Sequence, residues 1–162
     1  MKYIKKEFLV VFLRVSLGAI FLWAFFDKVF GLGFATTPEK SWLMGVSPTS
    51  GFLQFGSKGL FAPYFHSLSG NVLIDWLFML GLLGVGAAFL FGIGMKIASY
   101  AGSLMMVLIY LSLFPPANNP LIDEHVIYIL LLLLLGQYES QQWSLQSWWK
   151  KQGLVKRYPI LM

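Results

Sequence analysis

The sequence predicts an all-α integral membrane protein: a four-helix bundle with a long extracytoplasmic loop between the first and second spans and a C-terminal interfacial helix. Three observations predict it. Hydrophobic residues make up 57% of the 162 and charged residues only 12%, where a soluble domain carries about a quarter charged. Mean hydropathy is +0.70. Four separate apolar stretches, 8–30, 72–93, 97–114 and 121–137, approach the roughly 20 residues that a helix needs to cross a bilayer. Four spans and one sizeable loop use up the chain, leaving no room for a separate soluble catalytic domain.

In the first span, a basic start (Lys2, Lys5, Lys6) precedes an apolar run that continues past Phe21 with no small-residue cleavage site. It is therefore read as a retained span and not as a cleaved signal peptide. Residues 31–71 carry the breakers Ser47-Pro48-Thr49-Ser50-Gly51 and Ala62-Pro63, but also Trp42, Phe52, Phe55, Phe61 and Phe65. A loop so rich in aromatics should fold back as short helices that cap the bundle. In the glycine-rich second span small residues recur at Ala88 and Gly92 with three between, a spacing that lets helices approach closely in lipid. Gly94-Met95-Lys96 is short enough to make the second and third spans antiparallel neighbours. All four spans are apolar around their whole circumference, so periodicity does not say which face meets lipid.

After Tyr138, tryptophan alternates with lysine through Trp143, Trp148, Trp149, Lys150 and Lys151, as in a helix lying among headgroups. The chain thus divides into a membrane domain, 1–138, and a tail, 139–162. Net charge is +5, with Lys2, Lys5, Lys6, Lys96, Lys150, Lys151, Lys156 and Arg157 on one side of the membrane against Lys28, Lys40 and Lys58 on the other. The positive-inside bias places both termini in the cytoplasm. Cations beside apolar segments point to lipid headgroups, not nucleic acid, as partners. The absence of cysteine excludes disulfides, thiolate metal sites, thiol relays and covalent c-type haem. His66 and His125 are the only histidines, and their placement suits neither a bis-histidine haem nor a zinc site. No metal site is expected.

Ionisable residues within or beside hydrocarbon are costly and mark candidate sites. Arg14 falls about two turns into the first span; it either snorkels to the headgroups, pairs with Glu139 or Gln137, or grips a polar ligand. The topology sends Lys28 with its neighbour Asp27, Asp75 at the start of the second span, and Asp123-Glu124-His125 at the start of the fourth to one outer level. Asp123 follows Pro120 and precedes a helical run, the position of a cap. Tyr128 lies one turn beyond Glu124 and shares its face. In this set Lys28 could neutralise a developing oxyanion while Asp75, Glu124 or His125 handles protons, as quinone chemistry requires. The structural alternative for each is an ion pair that holds helices together. Lys28, Asp75, Glu124 and His125 are the candidate catalytic residues, and Arg14, Asp123 and Tyr128 the candidate ligand-binding ones.

Four segments carry a family resemblance: Arg14-Val15-Ser16-Leu17-Gly18-Ala19-Ile20-Phe21 with Lys28 after it; Ser47-Pro48-Thr49-Ser50-Gly51-Phe52-Leu53; Asp75-Trp76-Leu77-Phe78-Met79-Leu80-Gly81-Leu82-Leu83-Gly84; and Asn119-Pro120-Leu121-Ile122-Asp123-Glu124-His125-Val126-Ile127-Tyr128. On these, nearly the whole chain resembles the DoxX family of small bacterial membrane proteins, including its DoxD branch. The resemblance implies a four-helix protein of the bacterial inner membrane. For the DoxD branch it implies the large subunit of a thiosulfate:quinone oxidoreductase beside a smaller partner, with quinone as a non-covalent cofactor. The chain departs from many relatives in having no acidic residue between Leu80 and Leu90. Two other functions fit the same residues: a non-catalytic anchor or regulatory subunit of a partner oxidoreductase, and a small transporter. Whether copies of the chain associate with one another is left open.

Overall fold

The computed structural model describes residues 5–117, 119, 121–138 and 143–161. Among these the chain is helical, with no strand. In order, the helices are α1 (Lys6–Phe30), α2 (Ala62–Ser67), α3 (Val72–Phe91), α4 (Met95–Ser112), α5 (Glu124–Gly136), α6 (Gln146–Trp149) and α7 (Gly153–Arg157). Helices α1, α3 and α4 are long and apolar enough to cross a membrane, and α5 is a shorter apolar helix. The chain is a multi-pass helical membrane protein.

Each long helix ends where its sequence supplies a stop. Gly31 and Gly92 close α1 and α3 in the left-handed conformation, φ 66° and 68°, which glycine adopts without a Cβ penalty. Asn71 opens α3 by accepting from Leu73 N and Ile74 N. The fourth predicted span, 121–137, is corrected at its start. Asp123 accepts from His125 N as the N-cap, so the helix begins at Glu124 and its 13 residues rise about 20 Å.

The chain packs in sequence order, α1 on α3, α3 on α4 and α4 on α5, and all four helices contribute to one buried core. Leu17 and Phe21 come from α1, Val85 and Phe89 from α3, Met95 and Ala98 from α4, and Leu132 and Leu135 from α5. The closest helix approach is at Gly18 and Gly86. A Cβ on Gly18 would stand 2.6 Å from Leu90 N, and one on Gly86 would stand 2.8 Å from Leu22 N. Of the expected small-residue pair, Gly92 also lies at a close contact, a Cβ there standing 2.8 Å from Arg14 Nη1, whereas a Cβ on Gly84 would meet nothing within 4 Å.

The loop between α1 and α3 forms short turns, as its aromatics predict: 3-10 turns at Pro38–Lys40 and Trp42–Met44, a π-turn at Phe52–Gly56, and α2. Backbone bonds from Lys58 N to Ser112 O (2.8 Å) and Leu60 N to Phe114 O (2.9 Å) fasten it to the end of α4. The tail holds two short helices, α6 and α7, in place of the single helix expected from its composition. Leu145 N donates to Phe91 O at 2.9 Å, which brings the tail to the α3–α4 turn. The molecule therefore has two distinct ends. One gathers the start of α1, the α3–α4 turn and the tail; the other gathers the loop, the α4–α5 connection and the outer ionisable residues.

Candidate functional site

The antiparallel packing of α1 on α3 puts the end of α1 beside the start of α3. Lys28 is half-buried there, and its Nζ lies 5.8 Å from the centroid of the Phe78 ring, a cation–π geometry. Phe78 follows Asp75 by one turn and shares its face. Lys28 Nζ has no described carboxylate within 4.0 Å, and the opposite charge that acts on it is that of its chain neighbour Asp27.

Asp75 is buried, at 6% exposure. Its Oδ1 accepts from Ser47 Oγ at 2.8 Å and from Thr49 Oγ1 at 2.5 Å. Among the described residues Oδ2 accepts no hydrogen bond and is not enclosed. One oxygen thus ties down the loop and the other stays open. Asp27 does a similar task, accepting from Phe34 N at 3.3 Å and from Ala35 N at 3.0 Å, so that the chain leaving α1 folds back sharply. Trp42 meets Trp76 edge to face, with centroids 4.8 Å apart, and closes the loop over the start of α3.

The α5 residues reach the same end of the bundle but form a separate group. Asp123 accepts from His125 N at 3.0 Å through Oδ1 and engages His125 Nδ1 at 2.8 Å through Oδ2. The bond selects the tautomer with hydrogen on Nδ1 and leaves Nε2 as the free ring nitrogen. Glu124 is exposed and Tyr128 half-buried against the core. The three ligand-type atoms of Asp123, Glu124 and His125 lie within 4.8 Å of one another, a cluster the sequence reading did not treat as metal-binding. Among the described residues no hydrogen bond or ion pair joins this group to Lys28 or Asp75. The two groups thus lie at the same end of the bundle without direct contact between them.

Arg14 belongs to the opposite end. It has 0% exposure, and its Nη1 donates to Phe89 O at 2.7 Å and Leu90 O at 3.0 Å. Its Nη2 donates to Trp143 O at 2.9 Å. Arg14 therefore does not snorkel: it caps the carbonyls that end α3 and joins them to the tail. Of its two expected partners, Gln137 is exposed and Glu139 lies outside the described residues, as do Asn118 and Pro120 of the outer cluster.

Sequence reasoning did not assign roles to Ser47 and Thr49, the hydroxyl pair flanking Pro48, although two hydroxyls on a proline-stiffened turn are a legible sign of a carboxylate partner. The carbonyl partners of Arg14 left no sequence signal, because any residue supplies a carbonyl. No family model matches the chain, and no curated protein or solved structure shows significant similarity to it.

Proposed function

We propose that this chain is a DoxX-like membrane protein of the DoxD type that binds a quinone, or another small redox-active molecule, at the loop-covered end of its bundle. In that reading it serves as one subunit of a thiosulfate:quinone oxidoreductase in a bacterial inner membrane, beside a smaller partner. One observation carries the proposal: at the loop-covered end Lys28 lies over the Phe78 ring with no described carboxylate within 4.0 Å, and Asp75, one turn before Phe78, has an oxygen that accepts no hydrogen bond among the described residues. A buried unpaired charge is costly unless something uses it. Reduction of a quinone consumes two electrons and two protons. Lys28 is suited to neutralise the developing charge on a quinone oxygen, and Asp75 to pass a proton. His125, bonded to Asp123 through Nδ1 in the separate group on α5, is a second candidate proton carrier. The chain contains no cysteine and so brings no thiol carrier, and the electrons would come from thiosulfate through the partner.

Purified protein in nanodiscs, titrated with ubiquinone or menaquinone analogues, should bind them saturably. Lys28→Ala and Asp75→Asn should each weaken binding about ten-fold, the equivalent of one charge-assisted contact. Glu124→Gln, at an exposed position, should weaken it less. Absence of saturable binding would end the quinone reading. A non-catalytic anchor or regulatory subunit is the second reading, favoured by the use of Asp27 and Asp75 to fasten the loop. In that case crosslinking should recover a partner oxidoreductase while quinone titrations stay flat.

A further inference from the structure

We propose that the groove between α3 and α4 binds one anionic phospholipid, an acyl chain lying between the helices and the phosphate held by cations at the groove's closed end. This site is at the opposite end from Lys28 and Asp75 and does not depend on the quinone reading. The groove, about 340 Å³, runs between Leu80 and Gly84 on α3 and Ile97 and Ala101 on α4. Gly84 leaves it wide, because a Cβ there would meet nothing within 4 Å.

Its far end is walled by Trp149. That indole is fixed, with Nε1 donating to Leu161 O, and the turn Pro159–Leu161 packs against α4. Cations flank the wall in sequence: Lys96 precedes the groove residue Ile97, and Lys150 and Lys151 follow Trp149, all three exposed. Among the described residues none of them forms an ion pair. An apolar channel that ends at an indole among unpaired ammonium groups matches a phospholipid: hydrocarbon, then interface, then phosphate. A helix from a second copy, about 10 Å wide with its side chains, would need a channel open at both ends, and Trp149 blocks one.

The test is native mass spectrometry of the full chain equilibrated with equimolar phosphatidylglycerol and phosphatidylcholine of identical acyl chains. One phosphatidylglycerol should be retained per chain, in clear excess over phosphatidylcholine. Gly84→Leu with Ala101→Leu fills the groove from open positions and should cut retention about ten-fold. Replacing Lys96, Lys150 and Lys151 by glutamine should abolish the headgroup preference, at about five-fold per cation, while leaving the chain folded because all three are exposed. The proposal is overturned if the filled groove retains as much lipid, or if the preference survives loss of the lysines. It is also overturned if the filled groove instead turns a dimer into a monomer, which would make the occupant a second copy.

Discussion

Arg14 shows how a residue expected at the lipid boundary can become a joint. Its guanidinium offers five donors in a rigid fork, and Nη1 and Nη2 engage three carbonyls from two distant segments, Phe89 and Leu90 at the end of α3 and Trp143 in the tail, while the buried Nε has no hydrogen-bond partner among the described residues. The end of a helix carries partial negative charge and unsatisfied carbonyls, so a cation there replaces the water that the site excludes. Gly92 makes room for it. A Cβ on Gly92 would stand 2.8 Å from Arg14 Nη1, and its φ is 68°. Arg14→Ala should therefore lower stability by about 3 kcal/mol, the cost of stranding buried carbonyls that a charged donor had satisfied. Arg14→Lys should recover only part, lacking the fork. Thermal unfolding in detergent measures the loss, and limited proteolysis should show the tail cut sooner. A snorkelling arginine would predict a small change and full rescue by lysine.

At the level of elements, apolar runs and their glycine stops made the helices legible. The ends of α1 and α3 and the start of α4 follow the sequence closely because Gly31, Gly92 and Gly94 take backbone conformations that other residues resist. The start of α5 was less legible, since a capping aspartate and a first-turn aspartate look alike until the bond from His125 N is seen. Contact faces were not legible at all. A helix apolar on every side gives no moment to orient it, so the spacing of Ala88 and Gly92 indicates close approach without locating it, and nothing in the sequence separates Gly86, pressed on the backbone of Leu22, from Gly84, which faces open space. The outer site was half legible for a related reason. Its charged members stand out against hydrocarbon, but the hydroxyl partners of Asp75 come from an irregular loop whose path depends on tertiary packing. The glycine seam gives a paired prediction. Gly86→Ala forces a methyl against the backbone of Leu22 and should destabilise the protein by about 2 kcal/mol, as overpacking does. Gly84→Ala meets open space and should be neutral or slightly stabilising through helix propensity. Equal melting temperatures for the two variants would place the α1–α3 contact elsewhere.

For the whole molecule, the decisive geometry is that α5 returns the chain to the end from which it set out. A Cβ on Gly136 would press on Ser99, one turn into α4, and Tyr110 Oη donates to Leu121 O at the far end of the same helix pair at 2.8 Å. With 13 residues α5 rises about 20 Å, less than the roughly 30 Å hydrocarbon core, a mismatch that local thinning of the bilayer accommodates. The tail then meets α3 at Phe91 and Arg14 at Trp143, so the start of α1 and the tail emerge together. Lys5, Lys6, Lys96, Lys150, Lys151, Lys156 and Arg157 belong to the segments at this end, and the positive-inside bias predicts that it is the cytoplasmic one. Fusion of a fluorescent protein to the C-terminus in a bacterial host should accordingly give bright cells, because the reporter folds in the cytoplasm. Alkaline phosphatase fused after Gly70, at the far end of the loop, should be active, and the same enzyme at the C-terminus inactive. A C-terminal fusion with high phosphatase activity and no fluorescence would mean that α5 turns back within the bilayer. In that case the tail would lie on the same face as Lys28 and Asp75, and the cations around Trp149 would meet the outer leaflet instead of the inner one.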